Sequence, residues 1–241
     1  MKIFTLGKLS FSWEDMINAA ASRGKRTRKV SPEMCCAAQR AYTEGKHLLA
    51  SAAAVEIYEV ESISTECQTV NLKLSGHEEI ETLNIGPQTG YLYPAKEAAI
   101  VLCTVGTPLT EAMRNFGENG DYLMMYYLDV FGVKALADLS QQVRLYLESY
   151  AEGKGWGAGP FLQPGSVKGW DVAGQRDLYR LAHGEQVGIA INDAHILVPQ
   201  ISDSSLIGMG PHYLSQKAGS MCRECPRYEK CLWRRENGGG E

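Results

Sequence analysis

Residues 97–106 read Glu-Ala-Ala-Ile-Val-Leu-Cys-Thr-Val-Gly, an apolar run closed by glycine, and no other stretch constrains the fold as tightly. An unalternating run of this length reads as a buried strand. It feeds a helix beginning near Thr107-Pro108, with Glu111 close enough to the start to favour the helix dipole. After Gly120 a long helical pattern extends to about Tyr150, with Asp121 as the natural N-cap and one interruption expected at Gly132. Upstream, helices are expected over 12–23 and 31–52. The second has Ser31 as N-cap, Pro32 at the first helical position and Ala37, Ala38, Ala41, Leu48 and Leu49 as its apolar positions. Residues 54–60 and 67–74 alternate with period two, as half-buried strands do, and a weaker strand runs near 81–85. Residues 153–170 hold six glycines and two prolines and form the longest expected loop. A helix over 171–183, two short strands at 187–192 and 195–199, and a last apolar stretch at 205–210 follow. Strands and helices are mixed, with the helices in long blocks, so α+β is favoured over a doubly wound sheet.

A chain of 241 residues makes one large domain or two small ones, and 44% apolar against 22% charged residues excludes a fully disordered chain. The net charge of −4 supplies no global basic field of the kind nucleic-acid binding needs. No window approaches the roughly 20 apolar residues of a membrane span, and the start carries no signal-peptide core. A soluble, cytoplasmic protein is expected. The basic run Lys25–Lys29 reads as a solvated loop, with partner docking as the alternative. The glycine loop has neither a Gly-x-Gly-x-x-Gly nor a Gly-Lys-Ser/Thr ending, which argues against nucleotide binding. No Gly-x-Ser-x-Gly or His-Glu-x-x-His occurs. Asp121 and Asp129 are two helical turns apart, too far for joint acid–base work. His195, inside an apolar stretch, reads as a core histidine.

Seven cysteines without a secretion signal do not make a disulfide scaffold. Cys35, Cys36, Cys67 and Cys103 fall in helix- or strand-like stretches and are expected to be buried small hydrophobes. Cys222, Cys225 and Cys231 crowd into ten residues of a polar tail, where burial cannot account for all three. A Cys-x2-Cys pair brings two thiolates to one centre, and Cys231 can fold back as a third ligand. Three thiolates with an open or remote fourth position suit a four-iron four-sulfur cluster, zinc, or unmetallated thiols or a disulfide. His212 or an upstream cysteine could be the fourth ligand.

From Ala98 onward the order of landmarks resembles the activation (reactivation) domain of vitamin B12-dependent methionine synthase and its stand-alone relatives. The residues that carry it are Cys103-Thr-Val-Gly106, Gly120-Asp121-Tyr122-Leu123, Pro164-Gly165 and Gln175-Arg176. They continue as Gly188-Ile-Ala-Ile-Asn-Asp193, Val198-Pro199, Ser202-Asp-Ser-Ser205 and Gly208-Met-Gly-Pro211. Stand-alone relatives often finish with a Cys-x2-Cys…Cys segment, as this chain does. The match covers about 140 residues by motif and the first 95 only by layout.

The resemblance implies an α+β domain around a twisted antiparallel sheet, covering 1–211, with a cysteine-rich metal-binding tail at 212–241. It implies a role in returning a corrinoid from cob(II) to cob(I). It places cofactor binding at Pro164 and Gly165, at Trp170 on the far side of the same loop, and at Asp193. The family's Arg-x-x-Pro-Gly-Tyr segment reads Phe161-Leu-Gln-Pro164-Gly165-Ser166 here, and its Thr-Glu-Ser strand reads Asn192-Asp193-Ala194. Phenylalanine for a carboxylate-binding arginine removes a charge-assisted contact, so S-adenosylmethionine is expected to bind weakly or not at all. No Asp-x-His-x-x-Gly cobalamin loop occurs. The cobalamin is therefore expected on a partner, a corrinoid protein or cobalamin-dependent methyltransferase, with Trp156 and Trp170 as candidates to face it. The alternatives are a non-catalytic docking module with structural zinc and a methyltransferase-like domain.

Overall fold

The structure, a computed structural model, describes residues 1–21, 30–93, 95–166 and 168–213. In chain order it comprises β1 (Lys2–Phe4), α1 (Trp13–Ala21), α2 (Pro32–Leu48), β2 (Ala52–Ser64), β3 (Thr69–Leu74), β4 (Ile80–Asn84), β5 (Glu97–Thr104), α3 (Thr107–Glu118), α4 (Tyr122–Glu152), β6 (Gly157–Ala158), α5 (Gln175–Leu181), β7 (Ala190–Ile191), β8 (Leu197–Val198) and β9 (Ser202–Gly210). The main sheet runs β4-β3-β2-β5-β9-β6, with β1 on the near end of β2. Every pairing in it is antiparallel. The fold class is α+β, as expected from the sequence. Among the described residues no helix is long and apolar enough to cross a membrane.

The apolar run 97–104 becomes β5, near the middle of the sheet between β2 and β9. Its two faces feed two cores. Val101 and Cys103 face the later part of α4, packing with Leu139, Val143 and Leu147. Ile100 and Leu102 face the opposite side, with Leu162, Trp170, Leu178 and Leu206. A third core joins α1, α2, α3 and the start of α4 around Tyr127 and Phe131. A strand enclosed on both faces needs no polar alternation, which is why its sequence is continuous.

Ser31 caps α2 by accepting from the Met34 N–H, and Asp121 caps α4 by accepting from the Met124 N–H. Gly132 does not interrupt α4, which runs unbroken for 31 residues. A Cβ there would lie 2.6 Å from Ile201 Cδ1 and 2.9 Å from Leu109 Cδ2, so the glycine allows close approach rather than ending the helix. Three other expectations shift. α2 stops at Leu48, and residues 52 onward open β2. The helix expected over 171–183 begins as a 3-10 turn at Val172–Gly174. Most of 187–192 is not strand, because a 3-10 turn at Gly184–Val187 precedes a two-residue β7.

Of the four cysteines expected inside, only Cys103 is buried. Cys67 is exposed in the β2–β3 turn, Cys36 is exposed and Cys35 is half-buried on α2. Small apolar character does not force burial when the position falls on a turn or on the outer side of a helix. Burial pushes the Cys103 thiol well above its ordinary value, so this cysteine is an inert core residue.

Tyr58 of β2 ties the sheet to the end of α5. Its hydroxyl donates to the Leu181 carbonyl at 2.8 Å, and burial, with Glu56 and Glu81 nearby, pushes its pKa up to about 12. Below pH 10 the phenol is neutral in both folded and unfolded chains. Between about pH 10 and 12 the unfolded chain releases this proton while the folded one keeps it, so stability falls as pH rises through that window. Tyr58→Phe should flatten this alkaline loss while costing about 1–2 kcal/mol near neutrality, because the Leu181 carbonyl loses its donor. Denaturant midpoints for both proteins at pH 8, 10 and 11 measure it; parallel profiles would refute the assignment.

Candidate functional site

Trp156, Ala158 and Phe161 of the glycine loop pack on the α4 side of the sheet, whereas Leu162 and Trp170 belong to the core on the opposite face. The loop is tied down twice before its turn: Gly157 and Ala158 pair with Gly210 and Met209, and Leu162 bridges to Leu206. The turn then closes on itself, with the Gly165 N–H donating to the Trp170 carbonyl at 2.8 Å and the Ser166 N–H to the Gln163 carbonyl at 3.1 Å. Gly165 has φ +76° and Gly169 φ +83°, a left-handed backbone that glycine adopts without strain. Pro164 and Trp170 are buried, whereas Gly165, Lys168 and Gly169 are exposed. The indole of Trp170 is 5% exposed within the core of this face. Its Nε1 finds no protein acceptor among the described residues, and it lies so close to Gly174 that a Cβ there would be 2.2 Å away. Trp170 is thus the pin of the turn, and its ring does not face outward.

A 3-10 segment, Gly86–Leu92, holds the turn from the side. A Cβ on Gly86 would sit 2.3 Å from the Gly169 carbonyl oxygen, and one on Gly169 would sit 2.5 Å from Pro87 Cδ. This backbone-on-backbone contact was missed at the sequence level. The Gly86-Pro87 dipeptide, a turn marker, was the available signal. The other end of the segment receives the last described residues. Tyr213, buried, donates its hydroxyl to the Tyr91 carbonyl at 2.6 Å, and burial pushes its phenol well above the ordinary value. Its ring fills the space beside Gly159 and Gly208.

Phe161 and Ser166 are the residues that the sequence resemblance sets against the arginine and tyrosine of the family's segment. Phe161 is half-buried and packs on the α4 side of the sheet with the cluster that holds Ala158 and Met209. Its neighbour Leu162 points into the opposite face. Phe161 therefore does not project with the turn. Trp156 also packs on the α4 side, where Lys154 lies 5.1 Å over its ring and pairs with Glu97 at 2.7 Å. Trp156 and Trp170 thus sit on different faces of the sheet, although the sequence set them at the two ends of one loop.

Asp193 is exposed in the β7–β8 turn. The turn is organised by Asn192, whose Oδ1 accepts from the Ala194 and Ile196 N–H groups at 3.0 and 2.9 Å. His195 belongs to this turn with φ +60° and is half-buried; it is not a core strand residue, because the hairpin reverses where the apolar pattern appeared continuous. The Pro164–Gly165 turn lies against Val172, at the start of the segment leading into α5, and β7 also packs against α5. Among the described residues no hydrogen bond or ion pair joins Asp193 to the turn. α5 itself is fixed to the edge strand by a two-pronged pair, Arg180 Nη1 and Nη2 to Glu81 Oε1 and Oε2, both at 2.7 Å. The guanidinium holds the Glu81 carboxyl below the usual carboxylate range.

Cys222, Cys225 and Cys231, and the basic run Lys25–Lys29, lie outside the described residues. Of the candidate fourth ligands, His212 is exposed in the 3-10 turn Pro211–Tyr213, while the upstream cysteines are exposed at Cys36 and Cys67, half-buried at Cys35 and buried at Cys103. Among the described residues no group of three or more His, Cys, Asp or Glu side chains is arranged to hold a metal.

No family model matches the chain, and no curated protein matches it. Among solved structures, the crystal structure of the MetH reactivation domain bound to AdoHcy is similar, with a TM-score of 0.61 over 83% of this chain and 74% of that one, at 11% identity. The two share a fold. The likeness to the MetH reactivation domain reaches beyond the region where motifs could be matched, since 83% of the chain must include part of the first 95 residues.

Proposed function

We propose that this protein is an accessory to corrinoid-dependent methyl transfer, serving the reduction of cob(II) to cob(I) on a cobalamin carried by another chain. The observation that supports this reading is the fold shared with the MetH reactivation domain. The Pro164–Gly165 turn also stands on that fold as a built feature, locked from the side and pinned from beneath. The domain's part is to dock and orient. Its own residues present the exposed Gly165, Lys168 and Gly169 on a rigid base, and loops so supported are where function concentrates.

Thiolates are soft donors suited to iron–sulfur clusters and to zinc, and Cys222, Cys225 and Cys231 are the residues of this chain that would hold such a centre. An iron–sulfur cluster there would make a low-potential electron available, whereas zinc would serve structure alone. The turn fits S-adenosylmethionine poorly. Phe161 packs toward α4 where an arginine would have to reach a carboxylate, and no step is assigned to that ligand. Titration calorimetry is expected to show no micromolar S-adenosylmethionine binding; a micromolar dissociation constant would overturn this reading of Phe161.

The test of function uses the full chain purified without oxygen and analysed for iron and zinc. Mixed with cob(II) corrinoid methyltransferases and a low-potential reductant, the wild-type protein should accelerate loss of the cob(II) absorbance. The C222S/C225S/C231S variant should have lost its metal and the acceleration with it. A loaded wild-type protein that accelerates no partner would refute reductive activation, and colourless, zinc-bearing protein would identify a docking module instead.

A further inference from the structure

β4 (Ile80–Asn84) ends the main sheet and, among the described residues, pairs with β3 alone. Bonding across an antiparallel pair alternates along each strand. The Ile85 N–H donates to the Gln68 carbonyl at 3.0 Å, and the register then makes Leu83 and Glu81 the next residues bonded to β3. Ile80, Thr82 and Asn84 therefore turn their backbone N–H and C=O groups away from the sheet. The strand that presents them is firmly seated. Leu83 is buried in the core that holds Leu178 of α5, and Glu81 is gripped by Arg180. Ile80, Thr82 and Asn84 are exposed, Ile80 to 52%. An edge of this kind is a template for a further strand, and neither a proline nor a bulge interrupts Ile80–Asn84.

The charge around the edge selects which strand fits. Residues 59–84, from the middle of β2 to the end of β4, hold six glutamates and one lysine, a net charge of −5 where the whole chain carries −4. Glu59, Glu61, Glu66, Glu78 and Glu79 are exposed. Of these, Glu61 alone has an ion pair among the described residues, to Lys73 at 3.9 Å. A second copy of this chain brought edge to edge would set two such fields against each other. A basic strand meets the opposite field, which draws it in and favours it once bound.

We propose that the free edge of β4 is a docking site for an extended segment of a partner protein, rich in lysine or arginine, which adds to the sheet as a further strand. Main-chain hydrogen bonds to Ile80, Thr82 and Asn84 seat the segment, and the exposed glutamates choose it. Asn84 marks the end of the edge nearest the glycine turn. Its Oδ1 accepts from the Gly86 N–H at 3.1 Å, and Gly86 abuts Gly169. A segment held on β4 would thus bring its protein beside that turn. The inference stands apart from the corrinoid reading, since it assigns how a partner is held and not what is done to it.

Amide hydrogen exchange by NMR on the full chain tests it, with a peptide of alternating lysine and valine, about seven residues long, as the probe. In the free protein the amides of Ile80, Thr82 and Asn84 should exchange fast and those of Glu81 and Leu83 slowly. Saturating peptide should slow the first three by about tenfold or more, whereas the same peptide with glutamate for lysine should not. Thr82→Pro removes an outward N–H that β3 does not use, so it should keep the native circular dichroism and abolish the protection. E78K/E79K, at two exposed positions, should weaken binding of the basic peptide by about tenfold. Slow exchange at Ile80, Thr82 and Asn84 in the free protein would show the edge already covered and overturns the proposal. Absence of binding overturns it, as does binding without the alternating protection or binding unchanged in both variants. Concentration-dependent dimers of the wild-type protein that Thr82→Pro disperses would overturn it in favour of a second copy.

Discussion

Trp170→Ala is expected to lower the stability of the domain by about 3–5 kcal/mol, the range for truncating a buried large aromatic. For a domain of this size that corresponds to a fall in Tm of roughly 6–20 °C. The ring is 5% exposed and belongs to the core beneath the turn, with Leu162, Leu178 and Leu206. Truncation would leave a cavity that the neighbouring strands cannot collapse into, because β5 and β9 are held in register by pairing along their whole length. Trp170→Phe should cost much less. Phenylalanine keeps most of the apolar contact and removes an Nε1–H that finds no protein acceptor among the described residues. Thermal unfolding followed by circular dichroism measures both. An unchanged Tm for Trp170→Ala would mean that the ring is not the pin of the turn and that the glycine loop rests on some other support.

Gly86→Ala should have the second-largest effect, about 2–5 kcal/mol. Roughly 1–2 kcal/mol comes from forcing a side chain onto a left-handed backbone, here φ +72°. About 1–3 kcal/mol more comes from overpacking, since the new Cβ would meet the Gly169 carbonyl oxygen at 2.3 Å and its carbon at 2.6 Å. Those atoms are backbone and cannot rotate aside. The contact can be relieved only by moving the turn away from the 3-10 segment, so the damage should be local as well as global. Limited proteolysis should find new cleavage within 163–170 in the variant. A control, Gly76→Ala, shares the positive φ but meets nothing within 4 Å; it should show the backbone cost without new cleavage at the turn. Equal cleavage in the two variants would dismiss the interlock.

These two positions show different degrees of legibility. The main strands and helices were readable because each carries its own periodicity: β2 and β3 alternate, β5 is continuously apolar, and α4 begins on a capping aspartate that accepts from Met124. The antiparallel α+β architecture was reached through ordered landmarks such as Pro164-Gly165 and Gly208-Met209-Gly210. What misled was context. Gly132 reads as a break because glycine weakens isolated helices, yet here α3 and Ile201 approach the helix so closely that a larger residue would collide. His195 reads as core because its neighbours are apolar, while the turn from Asn192 to His195 sets it at the β7–β8 hairpin tip. Cys67 is likewise set outside by the β2–β3 turn.

By itself, the sequence determined the fold class, the central strand, the capped helices and the identity of the cysteine and glycine clusters, because these depend on local propensity and on burial patterns repeated along the chain. Only the tertiary structure decided that Trp156 and Trp170 serve opposite faces of the sheet. It alone decided that Phe161 turns toward α4, and that a seven-residue 3-10 segment joins the glycine turn to the start of the tail. The physical reason is sequence separation. The contact of Gly86 with Gly169 and that of Tyr91 with Tyr213 join residues far apart in the chain through backbone atoms, and backbone contacts leave almost no signature in side-chain pattern beyond the glycines that permit them.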